Sequence, residues 1–220
     1  MRFHTLLFDL DGTVTDSGPG IMNSVRYALE KAGMQSPEEK ELRAFIGPPL
    51  HEQFQSFCGI TAEQAREMVS LYREYYTEKG IFENRVYDGV IPMLHELKEK
   101  GCRILLATSK PEKFARIIAD HFGFARYFDF IGGANLDGSR TDKLEVIEYV
   151  LAECGVKDRA DVLMIGDRRY DIEGARSAGV HSMGVLYGYG SREEIESVEP
   201  DFIAEIPNEI SRIVLDGSGV

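Results

Sequence analysis

Two aspartates separated by one residue stand in the segment Leu6-Leu7-Phe8-Asp9-Leu10-Asp11-Gly12-Thr13, directly after an apolar run. Residues two apart on a strand point to the same side, so we expect the two carboxylates to lie close together. Neighbouring carboxylates repel each other unless a proton or a cation lies between them. The pair therefore suits a nucleophile, an acid–base group and a hard divalent cation. An isolated Asp-x-Asp-Gly is more often a plain turn, so this interpretation needs matching chemistry elsewhere.

A second apolar run, Ile104-Leu105-Leu106-Ala107, ends at Thr108-Ser109-Lys110-Pro111. A hydroxyl group and free amides at the start of a helix suit a phosphate group. Pro111 is typical of the first helical turn, so we predict that the helix begins there. An ordinary helix N-cap explains Thr108 and Ser109 equally well.

A third run, Val162-Leu163-Met164-Ile165, ends at Gly166-Asp167-Arg168-Arg169-Tyr170-Asp171. Asp167 and Asp171 are four residues apart, so they would face each other near the start of a helix. A capping cluster is the alternative interpretation. Acidic groups after two separate strands are nevertheless most economically explained by one shared magnesium site.

Lys143 opens a further predicted helix, where the helix dipole disfavours a cation. A solvated surface lysine is the common explanation for such a residue. The functional interpretation is that Lys143 pairs with the nucleophile and with a phosphate group, which would offset that cost.

Six short apolar runs alternate with helical patterns along most of the chain, which predicts an α/β fold with a parallel sheet covered on both faces. The predicted strands are residues 3–9, 102–108, 128–132, 161–165, 181–185 and 201–203. Residues from about 15 to 85 show helical patterns only, including a capping box at Thr61-Ala62-Glu63-Gln64. A connection this long predicts an inserted helical domain. The predicted domains are therefore 1–15 with 86–220, and 16–85.

Taken in order, the segments around Asp9, Thr108, Lys143 and Asp167 resemble the haloacid dehalogenase superfamily of phosphohydrolases. The insert resembles the helical cap of its phosphoglycolate phosphatase-like branch. The resemblance implies a Rossmann-like doubly wound sheet, Mg²⁺ as cofactor, and phosphomonoester hydrolysis through an aspartyl phosphate. An acid at Asp11 favours a phosphatase or phosphomutase over a dehalogenase.

The resemblance also assigns roles to individual residues. Asp9 would be the nucleophile, Asp11 the acid–base group, and Lys143 a catalytic cation that also contacts the phosphate. The implied metal residues are Asp9, Asp11 (through its backbone carbonyl), Asp167 and Asp171. The implied phosphate- and substrate-binding residues are Leu10, Gly12, Thr108, Ser109, Lys143 and, in the insert, Arg43, Gly47 and Pro48.

The expected substrate is a nucleoside 5'-monophosphate. Phosphoglycolate phosphatases usually carry Lys-Pro at the third segment and Gly-Asp-Ser or Gly-Asp-Thr at the fourth. This chain has Lys143-Leu144 and Gly166-Asp167-Arg168, and with Gly47-Pro48-Pro49-Leu50 it is more similar to the bacterial 5'-nucleotidase-like branch. Phosphoglycolate phosphatase and a β-phosphoglucomutase-like sugar mutase remain alternatives, followed by a phospho-acceptor domain or a non-catalytic binding module.

The composition limits the partners. The net charge of −12 disfavours nucleic acid polymers and anionic membranes, because their phosphates would be repelled. The three cysteines are far apart and include no Cys-x-x-Cys, which disfavours a zinc site or a disulfide framework. With no evident signal peptide, we expect a cytoplasmic enzyme that acts on a small phosphorylated metabolite as a monomer or homodimer.

Overall fold

The structure, a computed structural model, describes residues 2–216 of the chain. Eight β-strands occur in the described residues: β1 (Thr5–Phe8), β2 (Thr15–Asp16), β3 (Arg85–Val86), β4 (Arg103–Pro111), β5 (Phe130–Ala134), β6 (Val162–Gly166), β7 (His181–Val185) and β8 (Phe202–Ala204).

Helices fill most of the remaining chain. The α-helices are α1 (Gly18–Lys31), α2 (Glu39–Leu42), α3 (Leu50–Cys58), α4 (Ala62–Tyr75), α5 (Val90–Glu99), α6 (Glu112–His121), α7 (Lys143–Glu153), α8 (Arg169–Ala178), α9 (Arg192–Ser197) and α10 (Pro207–Asp216). Short 3-10 helices lie at Arg43–Phe45 and Ala125–Tyr127, and a π-helical turn lies at Tyr76–Gly80. Within residues 2–216, none of these helices has both the length and the apolar character that a membrane crossing requires.

Two compact units divide the chain. Unit 1 comprises Met1–Thr15 and Val86–Val220, and unit 2 comprises Asp16–Arg85. Unit 2 is helical apart from the strand residues at its two ends. One of its apolar helix faces is on α4, where Ala65, Met68 and Tyr72 are buried. The capping box that the sequence predicts is present, since Thr61 Oγ1 accepts from the amide of Gln64 at 3.3 Å and Gln64 Oε1 accepts from the amide of Thr61 at 3.0 Å.

Unit 1 is built on a six-stranded sheet in the order β5-β4-β1-β6-β7-β8. Every neighbouring pair in this sheet is parallel. The sheet and its flanking helices confirm the predicted α/β fold with a Rossmann-like core. Strand β1 is fully buried, as a central parallel strand covered on both faces must be. Leu7 packs in a cluster with Leu105 and Met164 of the adjacent strands and with apolar residues of α7 and α8.

The order of the strands defines where a ligand site is expected. The chain leaves β1 for β4 and β5 on one side, and later crosses to β6, β7 and β8 on the other. Open α/β sheets bind ligands at the carboxyl ends of the strands where this reversal occurs. The residues that follow β1, β4 and β6 therefore belong to one edge of the sheet.

One local prediction is wrong. Strand β4 does not end at Thr108 but continues to Pro111, which pairs with Ala134 after a register shift between Thr108 and Pro111. Helix α6 begins one residue later than predicted, at Glu112, and Pro111 is its N-cap residue. Pairing with β5 keeps this segment extended, so Thr108 and Ser109 lie in an irregular strand and not in the first turn of a helix.

Candidate active site

A buried lysine joins two carboxylates at the carboxyl edge of the sheet. Lys143 Nζ lies 2.8 Å from Asp9 Oδ1 and 2.7 Å from Asp171 Oδ1. It also donates to the carbonyl oxygen of Ala107 at 3.2 Å. Burial acts to lower the pKa of Lys143, but the carboxylates of Asp171 and Asp9 outweigh it, so the pKa is raised and the ammonium stays charged. The lysine that the sequence analysis paired with Asp9 is therefore in contact with that residue.

The helices and strands fix these groups by ordinary local structure. Asp9 follows β1 directly, and its amide donates to Ile165 of β6 at 2.9 Å, which extends the strand ladder. Lys143 is the first residue of α7, whose N-cap Asp142 accepts from the amide of Leu144 at 2.8 Å. Asp171 lies in the first turn of α8, and its Oδ2 accepts from the amide of Arg168 at 3.0 Å.

Three carboxylates converge on one point. Asp9, Asp167 and Asp171 are all buried, and each offers an oxygen within 4.8 Å of the other two. Burial first, and then the charges of Asp171 and Asp9, hold the pKa of Asp167 well above its usual range. Burial likewise raises the pKa of Asp9, to about 6, although Lys143 opposes the shift. Three carboxylates facing one ammonium leave two negative charges to be balanced.

A divalent cation fits this set of groups. The donors are all carboxylate oxygens, the ligands that hard cations such as Mg²⁺ prefer. The charge of the cation equals the two negative charges that Lys143 leaves uncompensated. Asp11, also named as a metal residue, differs from the other three because its carboxylate pairs with Lys110. Only its backbone carbonyl, the group the sequence interpretation specified, is therefore a candidate ligand.

Asp167 is held by groups that the sequence interpretation missed. Its Oδ2 accepts from the amide of Tyr189 at 2.7 Å, and Thr13 Oγ1 donates to its Oδ1 at 3.3 Å. A Cβ atom on Gly188 would lie 2.4 Å from the Asp167 Cβ, and one on Gly190 would lie 2.0 Å from the Asp167 carbonyl oxygen. The segment Gly188-Tyr189-Gly190 after β7 therefore packs directly on Asp167. Its Gly-x-Gly pattern after an apolar strand is the signal that could have revealed it.

Lys110 is a second missed residue. Its Nζ lies 2.6 Å from Asp11 Oδ2, and both side chains are largely buried. The sequence shows a lysine immediately after Thr108-Ser109, but no role was assigned to it. A buried carboxylate requires a compensating charge. This requirement, applied to Asp11, could have identified Lys110 as its partner.

The residues predicted to bind phosphate differ from one another in burial and in their hydrogen bonds. Thr108 is buried and its Oγ1 accepts from the amide of Lys110 at 3.2 Å, whereas Ser109 is half-buried. Leu10 is completely buried. Gly12, also an implied phosphate-binding residue, donates its N–H to the carbonyl oxygen of Thr15 at 2.8 Å. This N–H is therefore engaged within the tight turn between Leu10 and Thr15.

The candidate substrate residues of the insert lie together in unit 2. Arg43 opens the 3-10 helix Arg43–Phe45, is exposed, and is 3.3 Å from Glu39 Oε1. Gly47 has a positive φ of 106°, and Pro48 is half-buried. Gly47 and Pro48 lie in the turn between this 3-10 helix and α3.

Comparison with known proteins agrees with this geometry. Residues 6–185 match the haloacid dehalogenase-like hydrolases. The chain belongs to this family. It is 44% identical over 200 residues to a 5'-nucleotidase from Pseudomonas aeruginosa, covering 91% of this chain and 90% of that protein. It is 39% identical over 191 residues to the tyrosine-protein kinase PtkA from Mycobacterium tuberculosis, covering 87% of this chain and 65% of that protein.

The fold of this chain is also similar to that of solved phosphatase structures. The crystal structure of a predicted phosphatase from Clostridium acetobutylicum superposes with a TM-score of 0.93 at 41% identity, covering 98% of this chain and 100% of that chain. This haloacid dehalogenase-like hydrolase is a phosphatase.

Replacing Gly12 with alanine is expected to weaken binding of the divalent cation about tenfold or more. A Cβ atom at this position would lie 2.1 Å from Asp167 Oδ2, so the carboxylate would have to move, and displaced groups around metal ligands typically cost 10–100-fold in affinity. Titration of the apo-protein with Mg²⁺ by calorimetry measures the loss.

Gly155→Ala is the matched control for this variant. Gly155 also has a positive φ, of 64°, but no atom lies within 4 Å of its added Cβ. Both variants should lose about 1 kcal/mol of stability through the strained backbone. Equal Mg²⁺ affinity in the two variants would contradict the contact between Gly12 and Asp167.

Proposed function

We propose that this phosphatase hydrolyses nucleoside 5'-monophosphates in a Mg²⁺-dependent reaction that passes through a phosphorylated Asp9. The observation that carries the proposal is the arrangement at Asp9. Its carboxylate contacts Lys143 at 2.8 Å and shares a buried three-carboxylate site with Asp167 and Asp171. A nucleophile beside an ammonium and a divalent-cation site is what the transfer of a charged phosphoryl group requires.

The chemistry assigned to the chain takes two steps. A carboxylate oxygen of Asp9 attacks phosphorus, the bond from phosphorus to the ester oxygen breaks, and Asp11 gives its proton to the departing alkoxide. Asp11 then takes a proton from water as that water attacks the phosphorus of the aspartyl phosphate. The bond between phosphorus and Asp9 breaks, which releases inorganic phosphate and restores the Asp9 carboxylate.

The other residues bind and orient the phosphate. Lys143 would offset the charge on its oxygens, and Thr108, Ser109 and the backbone at Leu10 would contact it. Gly12, whose N–H donates to Thr15, would form the tight turn that brings this backbone to the phosphate. Asp9, the backbone carbonyl of Asp11, Asp167 and Asp171 would hold Mg²⁺. When bound, the cation supplies charge that stabilises the phosphoryl oxygens.

The choice of substrate rests on similarity and on the sequence of the third and fourth segments. The relative at 44% identity is named a 5'-nucleotidase. The chain also lacks the Lys-Pro and the Gly-Asp-Ser or Gly-Asp-Thr that favour phosphoglycolate. We assign unit 2 the role of the helical cap, with Arg43, Gly47 and Pro48 as its substrate-contacting residues.

Release of inorganic phosphate from a panel of esters tests the proposal. The panel holds nucleoside 5'-monophosphates, phosphoglycolate, β-glucose 1-phosphate and 4-nitrophenyl phosphate, each with Mg²⁺ and with EDTA. We expect Mg²⁺-dependent release that is fastest with a nucleotide. A lead for phosphoglycolate would overturn the substrate, and conversion of β-glucose 1-phosphate to glucose 6-phosphate without release would indicate a mutase. Full activity in EDTA would remove the cation from the proposal.

A further inference from the structure

The carboxylate of Asp11 has two oxygens in different surroundings. Oδ2 accepts a hydrogen bond from Lys110 Nζ at 2.6 Å, and the two side chains are only 14% and 6% exposed. Oδ1 is buried and has no hydrogen-bond partner among residues 2–216. A buried polar atom without a partner is costly, so it is retained where a function requires it.

Lys110 is held in place by its backbone. Its amide donates to Thr108 Oγ1 at 3.2 Å, inside the register shift that separates Thr108 from Pro111 in β4. Its carbonyl packs on Gly133 of β5, where an added Cβ would lie 2.5 Å from the Lys110 oxygen. Because the bond to Thr108 and the contact with β5 fix this backbone, the ammonium has a defined position from which to hold Asp11.

We propose that Lys110 is a positioning residue, which binds Asp11 through Oδ2 and so leaves Oδ1 as the oxygen that carries the proton. The inference rests on the proposed function, because it refines how Asp11 acts. In the first step the bond from Oδ1 to its proton breaks as the leaving alkoxide takes that proton. In the second step Oδ1 takes a proton from the attacking water. Oδ2 accepts from Lys110 throughout, so protons and charges balance over the cycle.

Two other roles for Lys110 make different predictions. If Lys110 bound the phosphate directly, its loss would raise the KM for every ester alike. It would also weaken inhibition by inorganic phosphate. A purely structural ion pair would lower the stability without changing which chemical step is slow. Positioning of Asp11 requires a change that depends on the leaving group and that disappears when Asp11 is absent.

The test is Lys110→Met, assayed by rapid mixing with two esters. With 4-nitrophenyl phosphate the leaving group needs no proton, so we expect a burst of nitrophenolate close to one per enzyme. Turnover after the burst should be about 10–100-fold slower than in the wild type, since water activation is impaired. With a nucleoside 5'-monophosphate both steps need Asp11, so the burst should be absent. The KM should change little.

A double-mutant cycle separates positioning from other roles. Asp11→Asn should show the same burst followed by slow turnover, and adding Lys110→Met to it should change nothing further. Lys110→Arg keeps the charge and should recover part of the rate, whereas Lys113→Met, an exposed lysine on α6, should match the wild type. Thermal melting checks that each variant is folded.

The outcomes distinguish the inference from the proposed function. Lys110→Met with wild-type kinetics would overturn the role of Lys110 while leaving that of Asp11 intact. So would a loss of turnover rate from Lys110→Met that is as large in the Asp11→Asn background as in the wild type. A uniform rise in KM would assign Lys110 to the phosphate instead. A wild-type protein without Mg²⁺-dependent hydrolysis, or a fully active Asp11→Asn, would instead refute the proposed function itself.

Discussion

Asp9→Asn is expected to abolish phosphate release from every ester, by about 10⁴-fold or more. An amide oxygen is a poor nucleophile, so the proposed phosphorylated intermediate cannot form, and the proposed metal site also loses one charged ligand. The burst of nitrophenolate that the Asp11 and Lys110 variants retain should therefore be absent in this variant. Rapid mixing with 4-nitrophenyl phosphate measures the burst and the turnover in one experiment.

The same substitution should stabilise the metal-free protein. Burial raises the pKa of Asp9 from 3.8 to about 6 in the folded state. The folded state thus favours the protonated carboxyl, so stability is fully present below pH 3.8 and is lost as the pH rises through 6. Asparagine stays neutral, so in EDTA at pH 8 the variant should be more stable by up to about 3 kcal/mol, and by less at pH 5. Urea unfolding at the two pH values measures the difference.

Asp120→Asn is the control for both effects. Asp120 is an exposed aspartate on α6 of the same unit, so its replacement should change neither the rate nor the pH dependence of stability. Substantial turnover in Asp9→Asn would refute the covalent mechanism. A variant that is less stable than the wild type in EDTA at pH 8 would show that contact with Lys143 outweighs burial at Asp9.

Much of the fold could be predicted because the signals are local and repeated. Apolar runs that alternate with helical patterns define a covered parallel sheet, and the capping box at Thr61 and Gln64 marks the start of α4. The carboxyl ends of parallel strands meet at one edge, so side chains that follow different strands could be grouped without knowing any distance. This reasoning brought Asp9 and Asp171 together, and the structure places both in contact with Lys143, which the sequence analysis had paired with Asp9 on functional grounds.

The remaining features depend on contacts that no local pattern encodes. The extension of β4 to Pro111 is caused by pairing with Ala134, a residue distant in sequence. The same irregularity positions Lys110 beside Asp11, so the lysine could not be assigned a role from its own segment. Likewise the donor from Tyr189 to Asp167 depends on how the chain after β7 folds back over Gly12. The groups to which we assign the chemistry were identifiable by type and spacing, whereas the groups that contact and hold them required the structure.

Lys143→Met is expected to lower both activity and stability. The lysine is the cation that contacts Asp9 and Asp171, so its loss leaves those buried carboxylates facing Asp167 without a compensating charge. Removing one partner from a buried ion pair typically costs about 3–5 kcal/mol, and we expect that loss in EDTA at pH 8. The rate should fall about 10²–10³-fold even with saturating Mg²⁺, because the charge opposite the transferred phosphoryl group is missing.

The pH dependence of this loss gives its cause. The raised pKa of Lys143 means that its stabilising effect is present at low and neutral pH and is lost only as the pH rises through that raised value. Between pH 5 and 8 the wild-type lysine therefore stays charged. Any change with pH in the stability lost on Lys143→Met must come from the carboxylates. Near pH 5 the carboxyl groups left in Lys143→Met can bind protons, so the variant should recover part of its stability there.

Urea unfolding at pH 5 and pH 8, in EDTA and in Mg²⁺, measures these effects, with Lys157→Met as the exposed-lysine control. Because a divalent cation would supply some of the missing charge, Mg²⁺ should stabilise Lys143→Met by more than it stabilises the wild type. A loss of stability that is the same at both pH values and unaffected by Mg²⁺ would mean that Lys143 contributes through packing of its alkyl chain. The balance of charge at Asp9, Asp167 and Asp171 would then need another explanation.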